Sequence, residues 1–373
     1  MARVALVALL LIPVALRLQP DTQDSSRDTW WIGPFVKLEK PVLCPNAQLT
    51  FRCPIKGTDV KWAELGVYNP AAIVKDGKVW LLFRANDRMW KWEPDPTKQV
   101  SEYFTDRTGL AYSSDGRVFT ALPQPVLYPD HDFMKDLVWE GGLWETRVVE
   151  DERRTYYFYY NTYNGKTTRL SVATSADLIH WKKHGPIFAK AVPLNNNGSG
   201  SVVWRLEKCG RRVAAKIKGK YWMYFDHQAR LATLENLIDW KPVGKQLWGY
   251  RRGYFDSASG EPGTAMLTAK GILFIYVSKN HAWGPAHGAD PTIPPGTWSL
   301  GQALLDRNDP ARLLHRADRP FLVLEYEWEM QGTTPDTTVM HEGLVYFKGE
   351  WLLYYGGGDK YVGLAVFKPR KAK

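Results

Sequence analysis

One pattern returns five times along this chain and restricts its fold more than any other feature. An extended segment enters a short glycine-containing or charged turn, and an aromatic-rich strand leaves it. The first copy is Asn69-Pro70-Ala71-Ala72-Ile73-Val74, which turns at Asp76-Gly77 into Val79-Trp80-Leu81-Leu82-Phe83-Arg84. The second joins Thr146-Arg147-Val148-Val149 to the run Tyr156 to Tyr160 across Arg153-Arg154. The third joins Val213-Ala214-Ala215-Lys216-Ile217 to Tyr221-Trp222-Met223-Tyr224-Phe225 across Lys218-Gly219. The fourth runs from Thr264-Ala265-Met266-Leu267-Thr268 through Lys270-Gly271 to Ile272 to Tyr276, and the fifth from Gly343 to Phe347 through Lys348-Gly349 to Trp351 to Tyr355. Three copies continue into another strand, at Gly109 to Gly116, Leu170 to Asp177 and Val362 to Val366. Repeated units of several strands each imply radially arranged sheets. The expected fold class is all-β, a five-bladed β-propeller. A β-sandwich accounts for strands but not for a fivefold return. Ring closure calls for a strand from the far end of the chain, and the segment Trp30 to Leu43 is placed to give one to the last blade.

The rest of the chain narrows the setting. Arg3 precedes an apolar run from Val4 to Leu16, broken by Pro13, with the layout of a secretory signal and too short for a comfortable span. Residues 1–20 are therefore expected to be a signal peptide or N-terminal anchor and 21–41 an N-terminal segment, with the propeller over 42–373. The expected location is secreted or periplasmic. Cys44 and Cys53 lie close in sequence, so a disulfide or two packed thiols both fit, and Cys209 stands alone. The net charge of +10 is scattered, without a nucleic-acid motif, and reads as solvated surface. No phosphate loop and no His-x-x-x-His zinc pair is present, so no metal or cofactor is expected. Asn197-Gly198-Ser199-Gly200-Ser201 is not a nucleophile elbow, because the strand-to-helix setting is missing.

Propellers line a central channel with the first strand of each blade, so polar residues at one phase of the repeat converge from distant places in sequence. The residues at that phase are Asn69, Arg84 and Asp87, then Glu145 and Arg147, then Lys216 and Asp226, Asp256 and Glu261, and finally Glu342 and Asp359. Several carboxyls around one channel suit glycosidic cleavage, where an acid assists the departing oxygen and, in inverting hydrolases, a base activates water. Arg and Lys among them suit sugar hydroxyls or a phosphate. Some of the 17 Trp and 19 Tyr would stack on sugar faces, and others pack between sheets.

From about Val42 to Val366 the chain resembles glycoside hydrolase family 130, the mannoside phosphorylases and mannosidases. The resemblance is carried by Val67-Tyr68-Asn69-Pro70-Ala71-Ala72, Leu81 to Asp87, Gly109 to Gly116, Gly141-Gly142 with Arg147-Val148-Val149, Gly253 to Ser257 with Glu261-Pro262-Gly263, and Gly301 to Asp306. It implies a five-bladed propeller acting on an oligosaccharide. Where the family reads Gly-Gly-x-Glu-Asp-Pro-Arg, with the Asp as proton donor, this chain reads Gly141-Gly142-Leu143-Trp144-Glu145-Thr146-Arg147. The resemblance thus makes Glu145 the candidate general acid, one methylene longer than the usual Asp, and Asp256 or Glu261 the candidate base. Asn69, Arg84, Asp87, Arg147, Lys216, Glu342 and Asp359 are the candidate substrate-binding residues. The expected activity is an exported, inverting hydrolase of β-mannosides or related oligosaccharides. Export favours water as acceptor, since a sugar phosphate released outside the cell is lost. The alternatives are a phosphorylase, with inorganic phosphate as co-substrate, and a catalytically silent glycan-binding propeller.

Overall fold

The computed structural model describes residues 30–87, 105–188, 198–227, 229–244, 246–332 and 338–369, the side chain of Glu342 excepted. The 1–20 segment lies outside the described residues. Among them the regular secondary structure is almost entirely strand, with helix confined to Lys135–Val138 and three short 3-10 turns.

The strands form successive antiparallel meanders. One runs Gly66–Lys75, Lys78–Asn86, Arg107–Ser113, Thr120–Ala121, and the next Gly142–Glu150, Tyr156–Tyr163, Thr168–Ser175, Lys182–Pro186. A third pairs Gly200–Leu206 with Lys220–Phe225, then Arg230–Leu234 and Lys241–Val243. The fourth is Gly260–Leu267, Ile272–Lys279, Trp298–Leu305, Leu313–Arg316. The last is Val339–Phe347, Glu350–Gly357, Tyr361–Phe367, and Val36–Lys37 pairs antiparallel with its outer strand. The N-terminal segment thus supplies the strand that the repeat requires.

The middle strands show why the sequence folds this way. Along Tyr156–Tyr163, Tyr156, Phe158 and Tyr160 enter one buried cluster with Leu82 and Leu143, while Tyr159 enters another with Val172 and Trp204. Along Ile272–Lys279, Ile272, Phe274 and Tyr276 pack with Phe255, and Leu273, Ile275 and Val277 pack on the opposite face. Side chains alternate faces in a strand, so a strand apolar at every position must be covered on both sides. Sheets stacked face to face meet that demand. Truncating Phe158, which is fully buried, would cost about 3–5 kcal/mol.

The first strands of the meanders, those expected to face a channel, neighbour one another in order. Gly66–Lys75 packs beside Gly142–Glu150, whose Glu150 pairs in parallel with Val213 of the short strand Arg212–Ala214 bonded to Gly200–Leu206. Gly200–Leu206 runs parallel to Gly260–Leu267, which packs on Val339–Phe347, and that strand packs back on Gly66–Lys75. The order of neighbours returns to its start, although among the described residues no single hydrogen-bonded sheet closes.

One repeat differs from its reading in sequence. Val213 to Ile217 resembles a first strand because apolar residues lead into a Lys-Gly turn. In the structure Arg212–Ala214 folds back on Trp204–Leu206, and the start of Gly200–Leu206 takes the channel-side place opposite Met223, Tyr224 and Phe225. An inserted hairpin mimics the repeat. The thiols of Cys44 and Cys53 are unpaired, Cys44 exposed and Cys53 buried, so the disulfide alternative is not the one found.

Candidate active site

Four channel-side strands carry a register irregularity at one phase, between Tyr68 and Ala71, Trp144 and Arg147, Pro262 and Thr264, and His341 and Gly343. A bulge bends a strand and re-aims the side chain at the extra residue. Asn69 and Glu145 hold equivalent places, and both have left-handed backbone, with φ of 46° and 49°. That conformation costs a non-glycine residue about 1–2 kcal/mol. It is held in place by ties between strands. The Thr146 hydroxyl donates to the Asn69 carbonyl at 2.5 Å. Arg147 donates Nε and Nη2 to the Pro262 carbonyl at 3.1 and 2.6 Å, and Nη1 to the Thr146 carbonyl at 3.0 Å. Gly142, at φ 88°, admits no side chain, because a Cβ there would lie 2.1 Å from the Asp106 carbonyl.

The Glu145 carboxylate accepts Nη1 of Arg84 at 3.0 Å and has Nη1 of Arg147 3.9 Å away. The second arm of Arg84 reaches Asp106 at 2.5 Å, so one guanidinium serves two carboxyls. Its plane lies 4.7 Å from the ring centre of Tyr68 and 5.3 Å from that of Trp144, and Trp144 packs on Tyr163. The Tyr68 hydroxyl donates to Asp106 at 3.3 Å and accepts from Asn86 at 3.1 Å. Burial pushes the Asp106 carboxyl up to about 6, with Arg84 pulling the other way.

Glu261, on Gly260–Leu267, accepts the Ser199 hydroxyl at 2.7 Å. Its carboxyl is raised above the ordinary value by desolvation first and by the charge of Glu145 second, while His227, Ser199 and Arg147 act in the opposite direction. Glu145 and Glu261 therefore share one electrostatic site although 116 positions separate them. A small cavity beside Glu261 is lined by His227, Trp248, Tyr250, Tyr276 and Arg316. A wider groove lies at residues 122–133 and 179–183, on the outer strands; its Asp132 is paired with Lys183 at 2.6 Å, and it offers no carboxyl pair of this kind.

The candidate residues divide by place. Glu145, Arg84, Arg147, Asn69 and Glu261 come together. Asp359 lies at the turn beside them, close enough for its charge to act on Tyr68, with Thr338 3.4 Å away. Asp87 is nearly buried and pairs with Arg107 at 3.3 Å, so it braces the neighbouring strand. Asp256 is fully buried and accepts Nη2 of Arg251 at 2.9 Å, Nη2 of Arg316 at 2.7 Å and the Tyr276 hydroxyl at 2.8 Å. Its other oxygen accepts Nε of Arg251 at 3.0 Å, so Asp256 is tied into an ion-pair network of its own. Lys216 is exposed and lies over Tyr221, four residues along Lys220–Phe225 from the Phe225 that pairs Gly200. At about 3.3 Å per residue that is about 13 Å from the site end, so the structure does not bring Lys216 together with the others. Arg147 donates to the Pro262 and Thr146 carbonyls, and its charge acts on Glu145 and Glu261. Glu342 falls outside the described side chains.

Sequence reasoning missed Asp106, Tyr68, Ser199 and His227 as members of the site. Ser199 stands in the stretch that fails as a nucleophile elbow, and only its fold position next to Gly200 gives it a role. Asp106 sits just before a strand motif and outside the repeated phase, so periodicity carries no sign of it.

Residues 45–371 match a family model described as beta-1,4-mannooligosaccharide phosphorylase. A 1,2-beta-oligomannan phosphorylase of Thermoanaerobacter sp. (strain X514) is 27% identical over 349 residues, covering 90% of this chain and 97% of that protein. A beta-1,2-mannobiose phosphorylase of the same organism is 27% identical over 326 residues, covering 86% and 95%. Among solved structures, a glycosyl hydrolase from Bacteroides ovatus is 37% identical at a TM-score of 0.83, covering 92% of this chain and 96% of that one. Another is 36% identical at a TM-score of 0.84, with 92% and 96% covered; it is described by the statement that the GH130 family of mannoside phosphorylases contains glycoside hydrolases that target beta-1,2 mannosidic linkages in Candida mannan.

Proposed function

The chain belongs to glycoside hydrolase family 130, and from that premise we propose that it cleaves β-mannosidic bonds, β-1,2-linked ones first, with Glu145 as general acid. The observation that carries this reading is the approach of Glu145, at a strand bulge, to the partly buried Glu261 of a separate strand, close enough for the charge of Glu145 to act on Glu261. We read the five meanders as five propeller blades and their channel-side strands as the wall of the substrate pocket. Glu145 gives its proton to the departing glycosidic oxygen while an acceptor attacks the anomeric carbon from the opposite face.

The acceptor divides two readings. The curated relatives are phosphorylases, which favours phosphate over the hydrolysis expected from the sequence. In that reaction phosphate is itself the nucleophile, and His227 and Arg316, beside Glu261, are the cationic candidates to meet it. Hydrolysis is the second reading, favoured by a specific observation. Arg84 and Arg147 already have carboxylate or carbonyl partners, and the Glu261 carboxylate repels a phosphate dianion but suits activation of water. The solved relative described with hydrolases of β-1,2 mannosidic linkages agrees with it, as does the apolar leader. The test is incubation of manno-oligosaccharides with and without inorganic phosphate, with products identified by NMR. Mannose 1-phosphate formed only with phosphate supports the first reading, and free mannose at equal rates in both supports the second. No consumption of any β-mannoside under either condition removes both.

A further inference from the structure

We propose that Asp106 is a positioning residue that sets the charge state of Glu145 through the guanidinium they share. The kinetic part of this inference rests on Glu145 being the general acid.

Two independent parts of Asp106 hold the site. Its backbone is strapped to the segment that leads into Glu145: the Asp106 N–H donates to the Gly141 carbonyl at 3.2 Å, and the Leu143 N–H donates to the Asp106 carbonyl at 3.1 Å. Its side chain takes one arm of Arg84 at 2.5 Å, while Glu145 takes the other at 3.0 Å. Neither Asp106 nor Arg84 has appreciable access to solvent, so water does not screen this triad.

The charges around it make the consequence definite. Asp106 faces Arg84, Tyr68 and the adjacent Arg107 of the first meander, while Glu145 and Arg147 lie across Arg84 on Gly142–Glu150 and Asp359 acts on Tyr68 from a turn of the last meander. Arg107 is itself paired with Asp87. When Asp106 is ionised it takes part of the field of Arg84, and the Glu145 carboxylate is stabilised less. When Asp106 is neutral, the whole guanidinium serves Glu145 and favours its ionised form. A general acid has to hold a proton at the working pH, so the ionised Asp106 keeps Glu145 usable. The Asp106 carboxyl, pushed by burial to about 6, titrates where this choice matters. The arrangement fits the departure from the family motif, in which Glu145 stands where the donor is ordinarily an Asp.

The test is a carboxyl-detected NMR titration with 13C-labelled glutamate, the Glu145 signal being assigned by its loss in Glu145→Gln. In Asp106→Asn the Glu145 midpoint is expected to fall by about one unit, since removing a competing anion frees the opposite charge beside it. In any variant series with turnover, the alkaline limb of kcat moves acid-ward by the same amount, KM changes less than kcat, and Asp106→Glu restores part of the shift. A merely structural residue would lower rates evenly across pH and leave the midpoint in place. Identical Glu145 titrations in wild type and Asp106→Asn overturn the proposal whether or not a substrate has been found. If Asp106→Asn does not fold, the wild-type titration decides: a second inflection of Glu145 at the Asp106 midpoint supports the coupling, and a single simple step contradicts it. Absence of turnover in wild type removes the functional reading but leaves this titration intact.

Discussion

Two of the places where the molecule buries carboxylates against arginines are built to opposite ends. Around Asp256, the donors of Arg251, Arg316 and Tyr276 match the oxygens. Around Glu145, one guanidinium is divided between two carboxyls, the backbone is strained at φ 49°, and the buried Nε of Arg84 and Oδ1 of Asn69 meet no protein partner among the described residues. Unmatched buried polar atoms cost about 1–3 kcal/mol each, so a fold keeps them where substrate or water completes them. We read Asp256 as a fastening and Glu145 as the working group. A motif match alone ranks both as catalytic; their partners separate them.

That contrast breaks most easily at the two acids. Glu145→Gln keeps shape and removes the proton, and kcat is expected to fall about 10²–10⁴-fold with Tm near wild type. Asp256→Asn should do the reverse. It leaves Arg316 without its anion and Arg251 with the exposed Asp318 alone, at a cost of about 3–5 kcal/mol read by denaturant unfolding, while the folded fraction keeps its kcat. A large loss of kcat in folded Asp256→Asn would return that residue to the site.

These two residues also show what sequence reveals. The bulge phase that aims Asn69 and Glu145 inward is the phase at which the repeat places Asn69 and Glu145 in sequence, so much of the site is legible from periodicity. Lys216 has the same apparent phase, but a hairpin inserted between Val203 and Ala215 moves the channel-side strand to Gly200–Val202. A repeat read from apolar spacing does not distinguish those hairpins. Asp106 depends on an inter-strand strap at Gly141–Leu143, which no local pattern announces.

Smaller effects sharpen the comparison. Ser199→Ala removes a hydrogen bond that favours the ionised Glu261, so the already raised carboxyl rises further. A reaction needing that carboxylate loses rate as pH falls through its folded value, so the acid limb of kcat/KM moves up in pH, with a rate loss of about tenfold or less at neutrality. Near Asp256 the counterpart is the Tyr276 hydroxyl, one donor among several, so Tyr276→Phe is expected to change kcat/KM less than Ser199→Ala does. Lys216→Ala should leave kcat/KM unchanged and stability within about 0.5 kcal/mol. A tenfold rise in KM there would place the substrate on the opposite end of the channel.

The most direct test of the account is to follow β-1,2-mannobiose by NMR with wild type, Glu145→Gln and folded Asp256→Asn side by side, with phosphate present throughout. The account predicts cleavage by wild type and Asp256→Asn and almost none by a Glu145→Gln protein of unchanged Tm. Cleavage by Glu145→Gln at the wild-type rate would contradict it.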